Sequence, residues 1–442
     1  MPLPEAFDYA EPEGMDLAVG DHVAVPLGPR AVRGVVTAVR DGAGGNRPLK
    51  PVLDRIDDPV MPPSTLRFVE WAAKYSVDAP GQPLAMALRG LRAPKPKPAK
   101  LLRATGALPA RVTPARQRVL DAAAEGAMPG SELAERAGVS SGVVKGLLDE
   151  GVLAIELVMP ETRFDDLDWA SPGPVLNDSQ RAAADVLVEM VHEGGFQAAL
   201  LDGVTGSGKT EVYLEAVAAA LAASPEGQVL VLLPEIALTQ AVLARFTTRF
   251  GGAPVEWHSA VPPPLRRRAW EGVASGKARI VVGARSALFL PYRDLKLIVV
   301  DEEHDGSFKQ EEGFIYQARD MAVARAHIEK CAIVLASATP SLETIWNARQ
   351  GRYRWLKLGA RHGAAQLPDV DLIDMRQTPP ETGRWLSPPL VEAMVQTFAR
   401  GEQTLLFLNR RGYAPLVLCR ACGERMKAPD SDSWLVEHRY TG

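Results

Sequence analysis

Ala198-Ala-Leu-Leu-Asp-Gly-Val-Thr-Gly-Ser-Gly-Lys-Thr210 is the stretch on which the fold turns. A short apolar run ends in an acidic residue, then a Gly-rich loop, then Lys209 and Thr210. Gly203 to Thr210 fits the GxxxxGKT phosphate-binding pattern without a mismatch. Glycines let backbone N–H groups turn inward around phosphate oxygens, where a side chain would block the approach. Gly203, Val204, Thr205, Gly206, Ser207, Gly208, Lys209 and Thr210 are therefore the expected nucleotide contacts. Lys209 supplies a point charge for the terminal phosphates, and the Thr210 hydroxyl suits Mg²⁺. A helix is expected from about Gly208 through Leu221, its positive end facing the same phosphates. The plain alternative is a flexible turn between a strand and a helix.

Downstream, apolar runs alternate with helical segments. Val229–Leu233, Arg279–Gly283, Leu297–Asp301 and Ala332–Ala336 are short and continuous, as expected of a parallel sheet covered on both faces. The third run ends in Asp301-Glu302-Glu303-His304, about 90 residues after Lys209. In a doubly wound sheet such strand ends meet the phosphate loop at one edge. Asp301 then suits Mg²⁺, directly or through water. Glu302 stands where a general base orients water on the γ-phosphate of ATP, and His304 can link hydrolysis to a neighbouring element. The alternative is a solvated acidic loop. Ser337 and Thr339, after the fourth run, are candidates for a relay from His304 to a bound strand, or for a simple turn before Pro340. Gln180, about 20 residues before the phosphate loop, either presents its amide to the adenine edge or sits in a helix start capped by Asn177 or Asp178.

The chain has 442 residues, enough for two to four domains. Hydrophobic residues make up 46% and charged residues 24%, so ordinary globular cores can form. A net charge of −4 means that nucleic-acid contact must come from local patches. Three cysteines are too few for a disulfide scaffold and fit a reducing compartment. No apolar run reaches transmembrane length and no signal pattern opens the chain, so a soluble cytoplasmic protein without membrane contact is expected.

Residues 1–92 contain two short β-branched runs, Asp21–Gly28 and Arg33–Arg40, and a helical segment, Leu66–Tyr75, as in a small β-rich domain. Alternating Pro and Lys from Ala93 to Lys100 mark an extended linker, taken to span 93–111. Residues 112–160 pattern as three short helices and a wing, with Thr113 and Ser131 as caps; protein contact and DNA contact are equally open for this winged helix. Residues 174–350 hold the phosphate loop and the parallel sheet, and 351–442 begin a further lobe. Thr239, Arg285 and Ser286 follow strands and offer donors to DNA phosphates. Phe308, Lys309, Gln310, Phe314, Tyr316 and Arg319 lie in a loop between Asp305 and Asp320 whose aromatics either stack on single-stranded bases or pack beneath the surface.

The motifs GVTGSGKT, LLPEIALT, VVGARSALFLP, VVDEEHD, ASATPSLET and LLFLNRRGYAPLVLCRACG occur in that order. In that order they resemble the PriA-type replication-restart helicases of bacteria, a branch of helicase superfamily 2. The resemblance implies a multidomain α/β chain. It has a small β-rich N-terminal domain that binds a DNA 3′ end, a winged helix, a RecA-like motor lobe and a partial second RecA-like lobe with a zinc-binding insertion. It implies ATP-driven 3′ to 5′ unwinding at stalled or abandoned forks. The implied partners are forked and single-stranded DNA, other primosome proteins, single-stranded DNA-binding protein and the loader of the replicative helicase. It also assigns Asp8, in Phe7-Asp8-Tyr9, and Gly28, in Val25-Pro-Leu-Gly28, to the pocket for a nascent 3′ end.

Departures from the family pattern shape the expectation for this chain. It begins where the family's first strand finishes and stops in the zinc region, with no GRxGR-type segment for an arginine finger. A truncated chain that binds nucleotide and unwinds poorly or not at all is expected. Cys419 and Cys422 form a CxxC suited to Zn²⁺. The family's second CxxC is replaced by Ala428-Pro-Asp-Ser431, leaving Asp430, Asp432 or His438 as weak substitutes. The contrasting expectations are a fork-binding module that uses ATP only structurally, and a translocase of another kind, such as a restriction-type motor.

Overall fold

The computed structural model describes residues 5–42, 48–95, 98–158, 164–238, 240–359, 369–381 and 384–407. Near the N-terminus, β1 (His22–Leu27) pairs antiparallel with β2 (Arg30–Val35) on one side and β3 (Asp54–Ile56) on the other. Gly28 and Pro29 close the β1–β2 hairpin, with Leu27 opposite Arg30. Gly28 takes φ +61°, which a tight two-residue hairpin loop demands and an L side chain resists. Val23, Val25 and Val52 form a small core against which Tyr9 packs.

Helix α1 (Pro63–Tyr75) opens with a proline at its first turn and buries Phe68, Val69, Ala72 and Ala73. That face belongs to the core of the larger, seven-stranded lobe rather than to the small sheet. Phe68 lies 5.3 Å from Phe289, ring to ring. Helix α2 (Gly81–Ala87) and a 3-10 turn at Arg89–Arg92 follow on the same surface.

The segment read as a linker contains a strand, a correction to the expected 93–111 spacer. β4 (Ala99–Ala104) is the centre of a three-stranded antiparallel sheet, because Leu102 is buried beneath the three helices that follow. These are α3 (Pro114–Ala124), then after β5 (Met128–Pro129) α4 (Gly130–Arg136), and α5 (Ser141–Asp149); β6 (Leu153–Val158) is the wing. Thr113 caps α3 by accepting from the Arg116 N–H. Ser131 lies within the first turn of α4 and caps nothing.

The larger lobe begins with α6 (Asp178–Glu193), β7 (Gln197–Gly203), α7 (Lys209–Ala223), β8 (Gln228–Leu232), α8 (Gln240–Phe250), β9 (Val255–Trp257), α9 (Pro263–Ala274), β10 (Ile280–Gly283) and β11 (Leu295–Asp301). A short hairpin, β12 (Lys309–Gln310) and β13 (Tyr316–Gln317), precedes α10 (Ala318–Glu329), β14 (Ala332–Ser337), α11 (Leu342–Arg349) and β15 (Arg354–Leu358). Seven strands form one parallel sheet in the order β15-β7-β14-β11-β8-β10-β9. Period-two side chains divide between its faces. Leu230, Ile298 and Ile333 meet α1, α9 and α10, while Val229, Val299 and Val334 meet α6, α7 and α8. Because β15 pairs with β7, the sheet runs past the expected boundary at 350.

Residues 365–442 form a separate unit, in which α12 (Pro388–Ala399) buries none of its side chains. Among the described residues no helix is long and apolar enough to cross a membrane.

Candidate functional site

The sheet order places β14 between β7 and β11, so the loops leaving their C-terminal ends converge. The first is the phosphate loop. Gly206 and Gly208 adopt φ +80° and +81°, and α7 starts at Lys209 with Gly208 as its N-cap. A Cβ on Gly208 would stand 2.4 Å from Gln180 Nε2, so that glycine is required twice, by φ and by space. The Lys209 ammonium donates to the Gly203 carbonyl at 2.9 Å, folded into the loop it helps to form. The Ser207 hydroxyl is buried without a hydrogen-bond partner. An orphaned hydroxyl, a buried lysine and inward-turned backbone at a helix N-terminus make a cradle that fits a polyphosphate.

Gln180 is buried and fully engaged. Its Oε1 accepts from the Asn177 N–H at 3.0 Å and its Nε2 donates to the Ser207 carbonyl at 2.8 Å. Asn177 Oδ1 accepts in return from the Gln180 N–H, completing a capping box at α6. The amide thus ties the start of α6 to the phosphate loop.

The acidic run after β11 sends each side chain to a different element. Asp301 accepts from the Tyr213 hydroxyl at Oδ2 (3.0 Å) and from the Glu302 N–H at Oδ1 (3.0 Å). Burial raises its pKa above the usual carboxylate value and the Glu302 charge adds to the rise; Tyr213 and Lys209 counter it only in part. Glu302 holds φ +50°, strain of the kind that marks working sites. Glu303 is fully buried and accepts from Ser341 N–H (2.7 Å), Ser341 Oγ (3.0 Å), Thr344 Oγ1 (3.0 Å) and Arg319 Nη1 (3.3 Å). His304 Nδ1 lies 2.7 Å from Ser337 Oγ, which accepts from the Thr339 N–H. The structure thus joins the His304 and Ser337 segments.

The sequence reading passes over Tyr213, gives Glu303 no role of its own and places Arg319 only in the aromatic loop. Tyr213 follows Thr210 by three residues and shares its helix face, a spacing that was readable. Glu303 and Arg319 are brought together only by the packing of α10 on β11.

At the far end of the sheet edge, Arg285 Nη1 donates to the Ser307 and Lys309 carbonyls, and Ser286 Oγ accepts from Trp257 Nε1 at 3.1 Å. Thr239 lies outside the described residues, as do Cys419 and Cys422 with Asp430, Asp432 and His438. Among the described residues no group of three or more His, Cys, Asp or Glu is placed to hold a metal ion. Phe314 and Tyr316 are buried against each other and Phe289, and Phe308 is buried in the same core, so the packing alternative holds and they are not free to stack on bases. In the N-terminal sheet, Asp8 is exposed, and the neighbouring Tyr9 hydroxyl donates to Pro26 O at 3.2 Å. That bond brings the Phe7-Asp8-Tyr9 segment to the strand leading into Gly28.

A family model for DEAD/DEAH box helicases matches residues 177–347, and one for a 3′ DNA-binding domain matches residues 1–89. Among curated proteins, the chain is similar to replication restart protein PriA of Rickettsia felis, at 44% identity over 61% of this chain and 40% of the relative. It is 39% identical to the Bacillus subtilis protein of that name, over 71% of this chain and 39% of the relative. With the Haemophilus influenzae protein of that name, identity is 34% over all of this chain and 62% of the relative. The chain thus spans roughly two-fifths to three-fifths of the length of these relatives. Over its whole length the chain is thus similar to replication restart proteins named PriA, with a 3′ DNA-binding domain matched at its start and a DEAD/DEAH box helicase model matched over the seven-stranded lobe.

Proposed function

We propose that the chain is the nucleotide-binding and DNA-binding part of an ATP-driven DNA helicase that acts at stalled or abandoned replication forks. One observation carries the reading. The phosphate loop and a buried acidic strand end are locked together by the Tyr213–Asp301 contact, 88 residues apart in sequence. In this reading Lys209 leaves the Gly203 carbonyl for the β- and γ-phosphates of ATP, and the loop amides bind the remaining oxygens. Thr210 and Asp301 hold Mg²⁺, which when bound neutralises phosphate charge. Glu302, the partly exposed carboxylate of the run, orients the attacking water, and His304 reports on that event through Ser337.

The N-terminal sheet receives the 3′ end of a nascent strand at Asp8 and Gly28, and Thr239, Arg285 and Ser286 contact strand phosphates. Movement in the 3′ to 5′ direction belongs to the same reading. So do primosome assembly with single-stranded DNA-binding protein and the helicase loader, a zinc ion on Cys419 and Cys422, and work in the cytoplasm.

ATP hydrolysis measured with and without forked DNA, against Lys209→Ala, tests it. DNA-stimulated turnover lost in the variant supports the motor. Fork binding without turnover supports a binding module whose nucleotide is structural.

A further inference from the structure

Where the loops after β8, β9 and β10 meet the 3-10 turn of the N-terminal unit, they enclose a cavity of about 110 Å³. Arg89, Arg266 and Arg285 line it, together with Ser259, Ser286 and one carboxylate, Glu235. Two of the guanidinium groups are held in place by backbone. Arg285 Nη1 donates to Ser307 O at 2.6 Å and Lys309 O at 2.9 Å. Arg266 donates from Nε to Val261 O at 2.9 Å and from Nη2 to Ser259 O at 2.8 Å. Each keeps N–H groups beyond those bonds. Glu235 Oε1 is occupied by the Ser259 N–H and hydroxyl. Arg89 has no hydrogen-bond or ion-pair partner among the described residues.

Three cations, two of them held in place, facing one engaged carboxylate leave a net positive cavity, which selects an anion. Its size selects further. Small-molecule and nucleotide pockets occupy about 300–1,000 Å³. At about 110 Å³ this cavity suits a small anion such as a phosphate group better than a whole nucleotide. Planar guanidinium forks are the side chains best matched to phosphate oxygens.

We propose that Arg89, carried by the N-terminal unit, is a further contact to the DNA strand phosphate already read for Arg285 and Ser286, reached through the cavity that the three residues share. The proposal rests on the DNA-motor reading and adds one residue to it. Arg89 is not on a swinging domain. Gly90 abuts Trp270 so closely that a Cβ there would stand 2.5 Å from the Trp270 Cβ, and Trp270 Nε1 donates to Ala87 O at 2.6 Å. The backbone that carries Arg89 is thus fixed in advance, and only the side chain loses freedom on binding. The strand crossing the motor lobe is therefore held in part by the unit that carries Asp8 and Gly28, without rearrangement between them.

The test is fluorescence anisotropy of a labelled single-stranded oligonucleotide across a salt series, with the whole chain, Arg89→Ala and Arg89→Glu. The oligonucleotide carries a blocked 3′ end, so the N-terminal pocket does not contribute. Affinity is expected to fall several-fold in Arg89→Ala and at least tenfold in Arg89→Glu. The slope of log K against log salt should shrink in Arg89→Ala by about 0.7, the loss of one single-strand phosphate contact. Arg89 is exposed, so melting temperatures should match across the three proteins. Both variants binding with the parent's affinity and slope would overturn the Arg89 site while leaving the motor reading intact. A parent chain with no salt-dependent affinity for either this oligonucleotide or forked DNA would overturn both.

Discussion

The Tyr213 hydroxyl donates to Asp301 Oδ2 at 3.0 Å in a fully buried contact that fastens the helix of the phosphate loop to the end of β11. The bond sets where a carboxylate stands and also what it costs. Burial dominates and pushes the Asp301 pKa up, so the ionised form is disfavoured in the folded chain. For a carboxyl with a raised folded pKa, stability is fully present below the unfolded value near 3.8 and is lost as pH rises through the folded value. Once ionised, the carboxylate therefore destabilises the free chain. Asp301→Asn should raise the melting temperature in the absence of nucleotide, since the amide can donate to Tyr213 and still accept from Glu302. The same change should abolish Mg²⁺-dependent turnover. Calorimetry beside an ATPase assay checks both; a variant that melts lower than the parent refutes the desolvation account.

Tyr213→Phe removes only the hydroxyl. A buried acceptor left without its donor costs about 1–3 kcal/mol. Its loss should also let the Asp301 carboxyl drift from its bound position. The expected outcome is a lower melting temperature and a several-fold higher Mg²⁺ requirement for ATP hydrolysis. A Mg²⁺ titration that overlays the parent's would show that Asp301 is positioned by β11 alone.

Glu303 shows what the sequence could and could not disclose. The apolar runs, the phosphate loop and the acidic strand end were all legible, because each is a local pattern with its own physics: period, glycine and charge. Legible too was the start of α7, where Gly208 must be left-handed. Hidden were features that need two distant segments at once. Nothing in DEEH marks Glu303, rather than its neighbours, as the side chain turned inward. It becomes fully buried only because α11 brings Ser341 and Thr344, and α10 brings Arg319. The strand β15 was missed for the same reason, since Arg-Trp-Leu-Lys-Leu alternates too weakly to announce pairing with β7. The aromatic loop was ambiguous, and packing against Phe289 resolved it.

Removing one partner of that cluster should be severe. Glu303→Ala leaves Arg319 buried and without its inward partner, a change worth about 3–5 kcal/mol in comparable settings. Glu303→Gln keeps an acceptor but presents an NH₂ to groups that donate, and should cost about 1–3 kcal/mol. Urea melts of the two variants are expected to rank Ala below Gln below the parent. Equal melts would mean that the α10–α11 junction holds without the carboxylate.

The seam between the N-terminal unit and α9 contains a second buried ion pair. Arg267 Nη2 meets Asp58 Oδ1 at 2.6 Å, with both side chains almost fully enclosed, and Arg267 Nη1 donates to Ala93 O at 2.7 Å. Burial pushes the Asp58 carboxyl up, but Arg33, Arg267 and Lys95 more than offset it and hold it below the usual range. Arg267→Ala should therefore destabilise the chain by about 3–5 kcal/mol and expose the Pro63–Arg92 segment to protease before the rest of the chain. Arg267→Lys, which keeps the charge but loses the fork, should fall between. Limited proteolysis that begins in the motor lobe instead would place the weak point elsewhere.

His22 gives that seam a pH dependence. Its ring meets Trp270 edge-on at 5.6 Å, and neither ring nitrogen has a well-aligned partner among the described residues. Burial lowers its pKa below 6.5 and Arg33 lowers it further; Asp58, the Pro59 carbonyl and Asp21 pull it back only in part. A histidine whose folded pKa is depressed favours the folded chain while neutral. Stability is then fully present above the unfolded pKa near 6.5 and is lost as pH falls toward the folded value. Asp58, with its depressed carboxyl, contributes in a separate window below about 4, so the two do not overlap. Between pH 7.5 and 5 the parent should lose melting temperature steadily. His22→Phe, which keeps an aromatic edge against Trp270 and cannot titrate, should lose markedly less. Parallel pH profiles for the two proteins would assign the acid sensitivity to another group.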